Sequence, residues 1–230
     1  RYDHPGRTHG VRRAGGEEDA RAEMNGTPSP LTPRRVLVVY CHPLDDGFIP
    51  EAHRRVLAGL AAAGAEVRDR DLYREGFDPE LTADEHRTHV EPGVVDELVG
   101  HAEDLRWCDT IIFVYPTWWS GQPAMLKGWM DRVWASGVAW ELPDGANRLR
   151  PTLRNVRRLV AVTSHGSAKR INALQGEGGK RTLFRSLRTM CHPLTRCTWL
   201  AYYGIDAEQT ARQDAFLDAI PDRIAALTRR

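Results

Sequence analysis

Continuous apolar runs and amphipathic stretches alternate along the chain. After two arginines, "VLVVYC" (36–41) has no polar break, the mark of a strand buried on both faces. Ile49, Ala52, Val56, Leu57 and Leu60 follow at helical spacing, and Gly64 is placed to end that helix. "AEVRDRDL" (65–72) alternates as an edge strand does, residues 73–93 read as loop, and a helix then runs to about Trp107. "TIIFVYP" (110–116) is a second fully buried strand. Pro123 suits the first turn of a helix whose apolar face is Met125, Leu126, Trp129, Met130, Val133 and Trp134. A turn at Pro143-Asp144-Gly145 sits inside a small hairpin over 137–155. Strands are expected at 157–166 and 195–205, with a helical stretch around 180–190 and a final helix over 207–228 interrupted near Pro221.

Strands alternating with helices predict an α/β fold, a doubly wound parallel five-stranded sheet in the order 2-1-3-4-5 with helices on both faces. Residues 1–33, polar and rich in Arg, Gly, Glu and Pro, read as a disordered extension before a single domain over 34–230. In such sheets a ligand lies beyond the carboxyl ends of the strands, where strand order reverses. Three loops leave those ends: "CHPLDDGF" (41–48), "PTWWSG" (116–121) and "TSHG" (163–166).

Composition narrows the picture. The formal net charge is +1, which argues against a nucleic-acid protein with its strongly basic face. It argues equally against a strongly acidic electron-carrier surface. The four cysteines form no CxxC pair and no zinc spacing, and Cys41 and Cys108 fall in or beside strands as small hydrophobes. A reducing, cytoplasmic setting is expected, and no apolar run is long enough to insert in a membrane. His86 and His89 make an HxxH without a third ligand, so no metal site is expected. "GEGGKRT" (176–182) is no Walker A, since Leu174 stands for its first glycine and Arg181 for its Ser/Thr.

The three loops carry the candidate chemistry. His42, Gly47 and the helix-start amides suit an anion. Trp118 and Trp119 offer flat faces beside peptide donors; one is expected to pack inward and the loop as a whole to bind a flat ligand. Thr163, Ser164, His165 and Gly166 bring hydroxyls, an imidazole and a flexible glycine. No G-x-S-x-G and no G-x-G-x-x-G accompany them, which disfavours a serine hydrolase and a Rossmann dinucleotide site.

With "VLVVYCHPLDDGF", "DTIIFVYPTWWSGQPAMLKGWMDRVW", "AVTSHG" and "LQG" (174–176) in view, residues 34–205 resemble the flavodoxin-like NAD(P)H:quinone oxidoreductases. The resemblance implies a flavin, FAD or FMN. His42, Gly47 and Phe48 would contact its phosphates, Pro116, Thr117, Trp118, Trp119 and Ser120 its ring, and Thr163, Ser164, His165 and Gly166 its pyrimidine side. It implies hydride transfer from NAD(P)H through flavin N5 to a quinone or similar flat acceptor in a ping-pong cycle. It also implies a homodimer in which Trp140 and its loop close the neighbour's pocket. Two departures stand out. Gly47-Phe48-Ile49 replaces the family's Ser-Phe-Asn, and Asn172 and Gly178 fall where the family carries a Tyr and a His, leaving His165 as the candidate catalytic group. Other readings of the same residues are an azo- or nitro-reductase, a redox-sensing regulatory partner of a transporter, and a one-electron flavodoxin-type carrier.

Overall fold

The computed structural model describes residues 34–207 and 210–228; the expected extension over 1–33 lies outside them. Five parallel strands form one sheet: β1 (Arg35–Tyr40), β2 (Glu66–Asp71), β3 (Thr110–Pro116), β6 (Arg158–His165) and β7 (Arg196–Tyr203). Their order is β2-β1-β3-β6-β7, the 2-1-3-4-5 arrangement expected. β4 (Trp140–Glu141) and β5 (Arg150–Pro151) pair antiparallel as the small hairpin.

Period-2 alternation sorts the strand side chains between two cores. Leu37, Val39, Ile111, Phe113, Tyr115, Leu159 and Ala161 face one cluster, which α3 (Val99–Trp107) and α4 (Ala124–Val133) close with Leu105, Leu126 and Trp129. Val36, Val38, Tyr40, Ile112, Val114, Val160 and Val162 face the other, under α1 (Phe48–Ala62), α7 (Thr210–Asp218) and α8 (Ile220–Thr228). Both faces of the three central strands are therefore dry, which explains their unbroken apolar runs. α1 lies so close to α8 that a Cβ at Gly59 would come within 2.6 Å of the Pro221 carbonyl oxygen. The final helix breaks where Pro221 opens α8.

β2 is the polar edge. Arg68 and Arg70 reach from it to the buried Asp104 of α3 at 2.7 and 2.5 Å, closing that edge with ion pairs. The segment expected as loop over 73–93 contains a short helix, α2 (Ala83–Arg87), opened by a capping box between Thr82 and Glu85. Buried Arg132 of α4 holds this segment down, donating to Glu85 at 2.9 Å, Glu97 at 2.5 Å and the Asp78 carbonyl at 2.6 Å. The cysteines are free thiols, and burial pushes Cys41 up to about 12. α5 (Lys169–Leu174) and α6 (Gly178–Arg181) continue into a π-helical stretch over Thr182–Ser186.

Candidate active site

Order reverses at β1, which sits between β2 and β3, and the loops after β1, β3 and β6 rise at the same end of the sheet. There a cleft of about 860 Å³ opens beyond β3, β6 and β7.

One wall is the double-tryptophan loop. Trp118 and Gly121 exchange two backbone bonds, N–H to carbonyl at 3.1 and 2.9 Å, closing a two-residue turn. Both central residues have left-handed backbone, Trp119 at φ 49° and Ser120 at φ 61°. That is the pattern of a type I′ turn, which ordinarily takes Asn and Gly. Trp118 is 50% exposed and Trp119 wholly exposed at 103%. Neither packs inward, contrary to the expectation: the turn is too tight for neighbouring side chains to diverge as they do on extended backbone.

The turn is tied to the segment after β6. Ser120 Oγ–H donates to Gln175 Oε1 at 2.7 Å, Gly179 N–H donates to the Ser120 carbonyl at 2.7 Å, and Gln122 Nε2–H donates to the Gly179 carbonyl at 2.8 Å. Between these elements lies His165, only 3% exposed. Asn172 donates its amide hydrogens to the Ser167 and Ala168 carbonyls at 3.0 and 3.1 Å. Its Oδ1 is therefore an acceptor, and it sits 2.8 Å from His165 Nδ1. The proton of neutral His165 is thus held on Nδ1, which leaves Nε2 as the acceptor. Nε2 lies 3.5 Å from Thr117 Oγ1, which in turn is 2.9 Å from Thr163 Oγ1. Tyr203 stacks on the imidazole with ring centroids 4.5 Å apart and donates its hydroxyl hydrogen to Glu177 at 2.8 Å. Burial lowers the basicity of His165, and the Asn172 bond and Glu177 charge oppose the shift without cancelling it.

Of the residues singled out from sequence, Pro116, Thr117, Trp118, Trp119, Ser120, Ser164, His165, Gly166 and Asn172 line this cleft. Thr163 lies fully buried beneath it. His42, Gly47 and Phe48 do not line it. His42 Nδ1 is turned onto Leu44 of its own loop, 3.0 Å from that residue's carbonyl oxygen and 3.2 Å from its amide nitrogen. Phe48 packs on Tyr202 and Phe216, with centroids 5.1 and 5.8 Å apart. Gly47 precedes α1 at φ 99° with no side-chain cap, so the first-turn amides of that helix have no capping oxygen from it. Trp140 is half-buried away from this cleft, its indole N–H bonded to the Trp134 carbonyl at 2.9 Å.

Gln175, Ser167, Ile205 and Asp206 line the cleft without having been foreseen. Asp206 follows the carboxyl end of the fifth strand, so the rule that selected the other loops would have found it. It crosses so near Gly166 that a Cβ there would come within 2.5 Å of Asp206 Oδ2.

Comparison with known proteins agrees with this architecture. The human ribosyldihydronicotinamide dehydrogenase [quinone] is 26% identical over 153 residues, 59% of this chain and 65% of that protein. The chain spans less than two thirds of the length of the first curated relatives it matches. An NAD(P)H:quinone oxidoreductase from Methanothermobacter marburgensis superposes with a TM-score of 0.75 at 24% identity, covering 86% of this chain and 99% of that one. An FMN-dependent NADH-azoreductase from Bacillus anthracis, in complex with FMN, superposes with a TM-score of 0.65 at 13% identity, covering 85% and 99%. At these identities the two structures speak to the fold. The sequence model of the flavodoxin-like fold family matches residues 34–227, nearly the whole described chain, and the protein belongs to that family.

Proposed function

We propose that the chain is a flavin-dependent oxidoreductase that takes reducing equivalents from NAD(P)H and passes them to a quinone or a similar flat acceptor. The observation that carries this reading is the cleft at the strand ends, walled by the strained Trp118–Gly121 turn and by the His165–Asn172 pair. Bound FMN or FAD would supply the hydride chemistry, accepting from one substrate and releasing to the next as the two alternate in a ping-pong cycle.

The residues fit such a group. A cleft of about 860 Å³ lies within the range of about 300–1,000 Å³ that cofactor-sized ligands occupy. Trp118 and Trp119 present apolar faces to it, and the amides of Trp119 and Ser120 take no part in the two bonds that close their turn. Uncapped at Gly47, the first turn of α1 offers amides and the positive end of the helix dipole to a phosphate. Arg74 reaches Asp45 of the same loop at 3.1 Å, which offsets the acidic charge there.

The chain's own work follows from the geometry. The tryptophan wall would orient flat substrates and exclude water from one side of the site. Hydride delivery to a quinone leaves an oxyanion on the substrate that needs one proton. His165 would supply it at Nε2, with Nδ1–H held by Asn172 throughout. Because burial lowers its basicity, His165 rests neutral and, once protonated from solvent, releases the proton readily. Azo and nitro acceptors present the same demand and belong in the same assay. The family's homodimer, and a partner's Trp140 loop closing the cleft, complete the proposal.

An absorbance spectrum of the purified protein, before and after anaerobic NADPH, tests this, with mass identification of any released cofactor. Yellow bands that bleach are expected. A colourless protein whose melting temperature neither FMN nor FAD moves would end the oxidoreductase reading and favour a regulatory one.

A further inference from the structure

Residues 172–180 border two cavities. Asn172 and Gln175 line the cleft, whereas Gly176, Glu177 and Lys180, with Arg181, Phe184 and Arg185, line a separate concavity of about 270 Å³. Three of the side chains there, Lys180, Arg181 and Arg185, are cations and one, Glu177, is an acid. Glu177 is already engaged, accepting from the Tyr203 hydroxyl at 2.8 Å and from Lys180 at 3.2 Å. Burial raises its carboxyl, but those two hydrogen bonds and the Lys180 charge outweigh it and the net shift is downward.

Arg181 and Arg185 are different. Both are exposed, and among the described residues neither side chain has an ion pair or a hydrogen bond. Arg68, Arg70 and Arg132, by contrast, are each held by carboxylates. Here two face one small cavity with an ammonium beside them. The Arg181 guanidinium lies against bare backbone, where a Cβ at Gly176 would sit 3.5 Å from its Nη1. Two further features mark the place. Glu177 holds left-handed backbone at φ 47°, and the helix widens to the π form over Thr182–Ser186, beginning just after Arg181 and taking in Arg185. Both kinds of departure concentrate at functional sites. Half-buried Phe184, set edge-on against Trp199 at 5.8 Å, adds an aromatic surface.

Like charges gathered at one cavity with no partner raise the chain's energy unless an anion joins them. A volume of about 270 Å³ is below that of a site for a whole drug-sized ligand, so it suits a terminal group. Guanidinium pairs grip a phosphomonoester, and a ring surface beside them suits a base. We propose that this basic pocket receives the adenosine 2′-phosphate of NADPH, with Arg181 and Arg185 as its ligands and Lys180 as a further positive charge, so that the chain selects NADPH over NADH. The inference rests on the oxidoreductase reading for the nicotinamide end, which the adjoining cleft would take.

The test uses the full chain loaded with flavin, its Arg181→Ala/Arg185→Ala double variant and the charge-keeping Arg181→Lys/Arg185→Lys variant. Calorimetry compares adenosine 2′,5′-bisphosphate, adenosine 5′-monophosphate and inorganic phosphate, and steady-state kinetics compare NADPH with NADH. The native chain should bind the bisphosphate at least about tenfold more tightly than the monophosphate, as one or two charge-assisted bonds imply. In the alanine variant that preference should vanish and KM for NADPH rise by about ten- to a hundredfold, with NADH kinetics moved by less than about twofold. The lysine variant should keep most of the preference, which separates lost charge from lost fold. Equal binding of the two adenylates, inorganic phosphate binding as tightly as the bisphosphate, or equal losses for both dinucleotides would each overturn the proposal. A flavin-loaded chain that uses NADH and NADPH alike would sink this pocket and leave the oxidoreductase reading intact. A chain that takes up no flavin yet holds the bisphosphate through these arginines would do the reverse.

Discussion

Replacing Trp119 by glycine should make the flavin-free protein more stable and its cofactor site worse. Trp119 is wholly exposed, so its removal uncovers no core. Its φ of 49° is a left-handed conformation that costs an L side chain about 1–2 kcal/mol. Glycine adopts it freely, though its looser unfolded chain gives back about 0.5–1 kcal/mol. Both bonds that close the turn are backbone bonds and survive the change. The net gain is about 0.5–1 kcal/mol, or a rise of about 1–4 °C in melting temperature for a chain of this size. The binding side moves the other way. An indole covers about 150–250 Å² of a partner; losing even half of that, at about 25 cal/mol per Å², is about 2 kcal/mol, or roughly thirtyfold in Kd. Urea unfolding of the flavin-free Trp119→Gly variant and fluorescence titrations with FMN and FAD read the two effects separately. A variant less stable than the parent would show that Trp119 holds the fold. A more stable variant with unchanged flavin affinity would refute the idea that the turn is strained for the sake of a ligand.

Three further substitutions probe other parts of the same reasoning. Asn172→Asp places a full charge beside His165 Nδ1 and should move the imidazole upward from its lowered position; a His165 NMR titration indistinguishable from the parent would disprove the assigned hydrogen bond. His101, buried against Trp129 and pushed down to about 4 chiefly by burial, should make the protein lose stability as pH falls. Between about 6.5 and 4 the unfolded chain takes a proton that the folded chain refuses, with a slope no steeper than about 1.4 kcal/mol per pH unit. Glu75, 3.6 Å away and raised mainly by burial, works against that slope, so His101→Gln should flatten urea midpoints across this range and expose the opposite trend; an unaltered profile counts against the assignment. Arg132→Met removes the buried cation that holds half-buried Glu85 and frees the 77–97 segment, at a cost of about 3 kcal/mol in chemical unfolding; a loss under about 1 kcal/mol would mean the pairs contribute little.

Much of the frame was legible because burial on two faces leaves its trace in consecutive residues. Val36–Cys41 and Ile111–Tyr115 are buried hydrophobic residues at every position, and strand boundaries drawn from them fall within a residue or two of those found. The short helix at Ala83–Arg87 was missed because it buries nothing and shows no apolar period; its one signal was Thr82 with Glu85 three residues on. The site was half legible. Chain order placed the Trp118–Trp119 loop and His165 at strand ends, where topology gathers them. What sequence could not show was the turn's hand, since nothing in Trp-Trp-Ser-Gly announces two left-handed residues. Nor could it show that Asn172 would reach back seven positions to lock an imidazole, because that contact depends on how α5 folds over the end of β6.

Trp119, Ser120 and Glu177 are the non-glycine residues in the left-handed region among those described. They belong to the two segments joined by the Ser120–Gln175, Gly179–Ser120 and Gln122–Gly179 bonds. The second segment of that seam lines both the cleft and the basic pocket. At about 1–2 kcal/mol each, three such residues weigh heavily against a marginal folding free energy. Glycine at any of the three would relieve it, and glycines stand nearby at 121, 176 and 178. A chain that could have relaxed this seam and did not is one whose side chains there are used in the strained geometry. The tryptophan faces the cleft on one side, and on the other Glu177 ties Lys180 to the Tyr203 that stacks on His165. Anything that binds in the basic pocket and draws Lys180 from Glu177 therefore acts on the ring that packs against the imidazole. Filling the two cavities should be energetically coupled, and flavin affinity measured with and without adenosine 2′,5′-bisphosphate reads that coupling directly; identical affinities would mean the seam is rigid and the two sites independent.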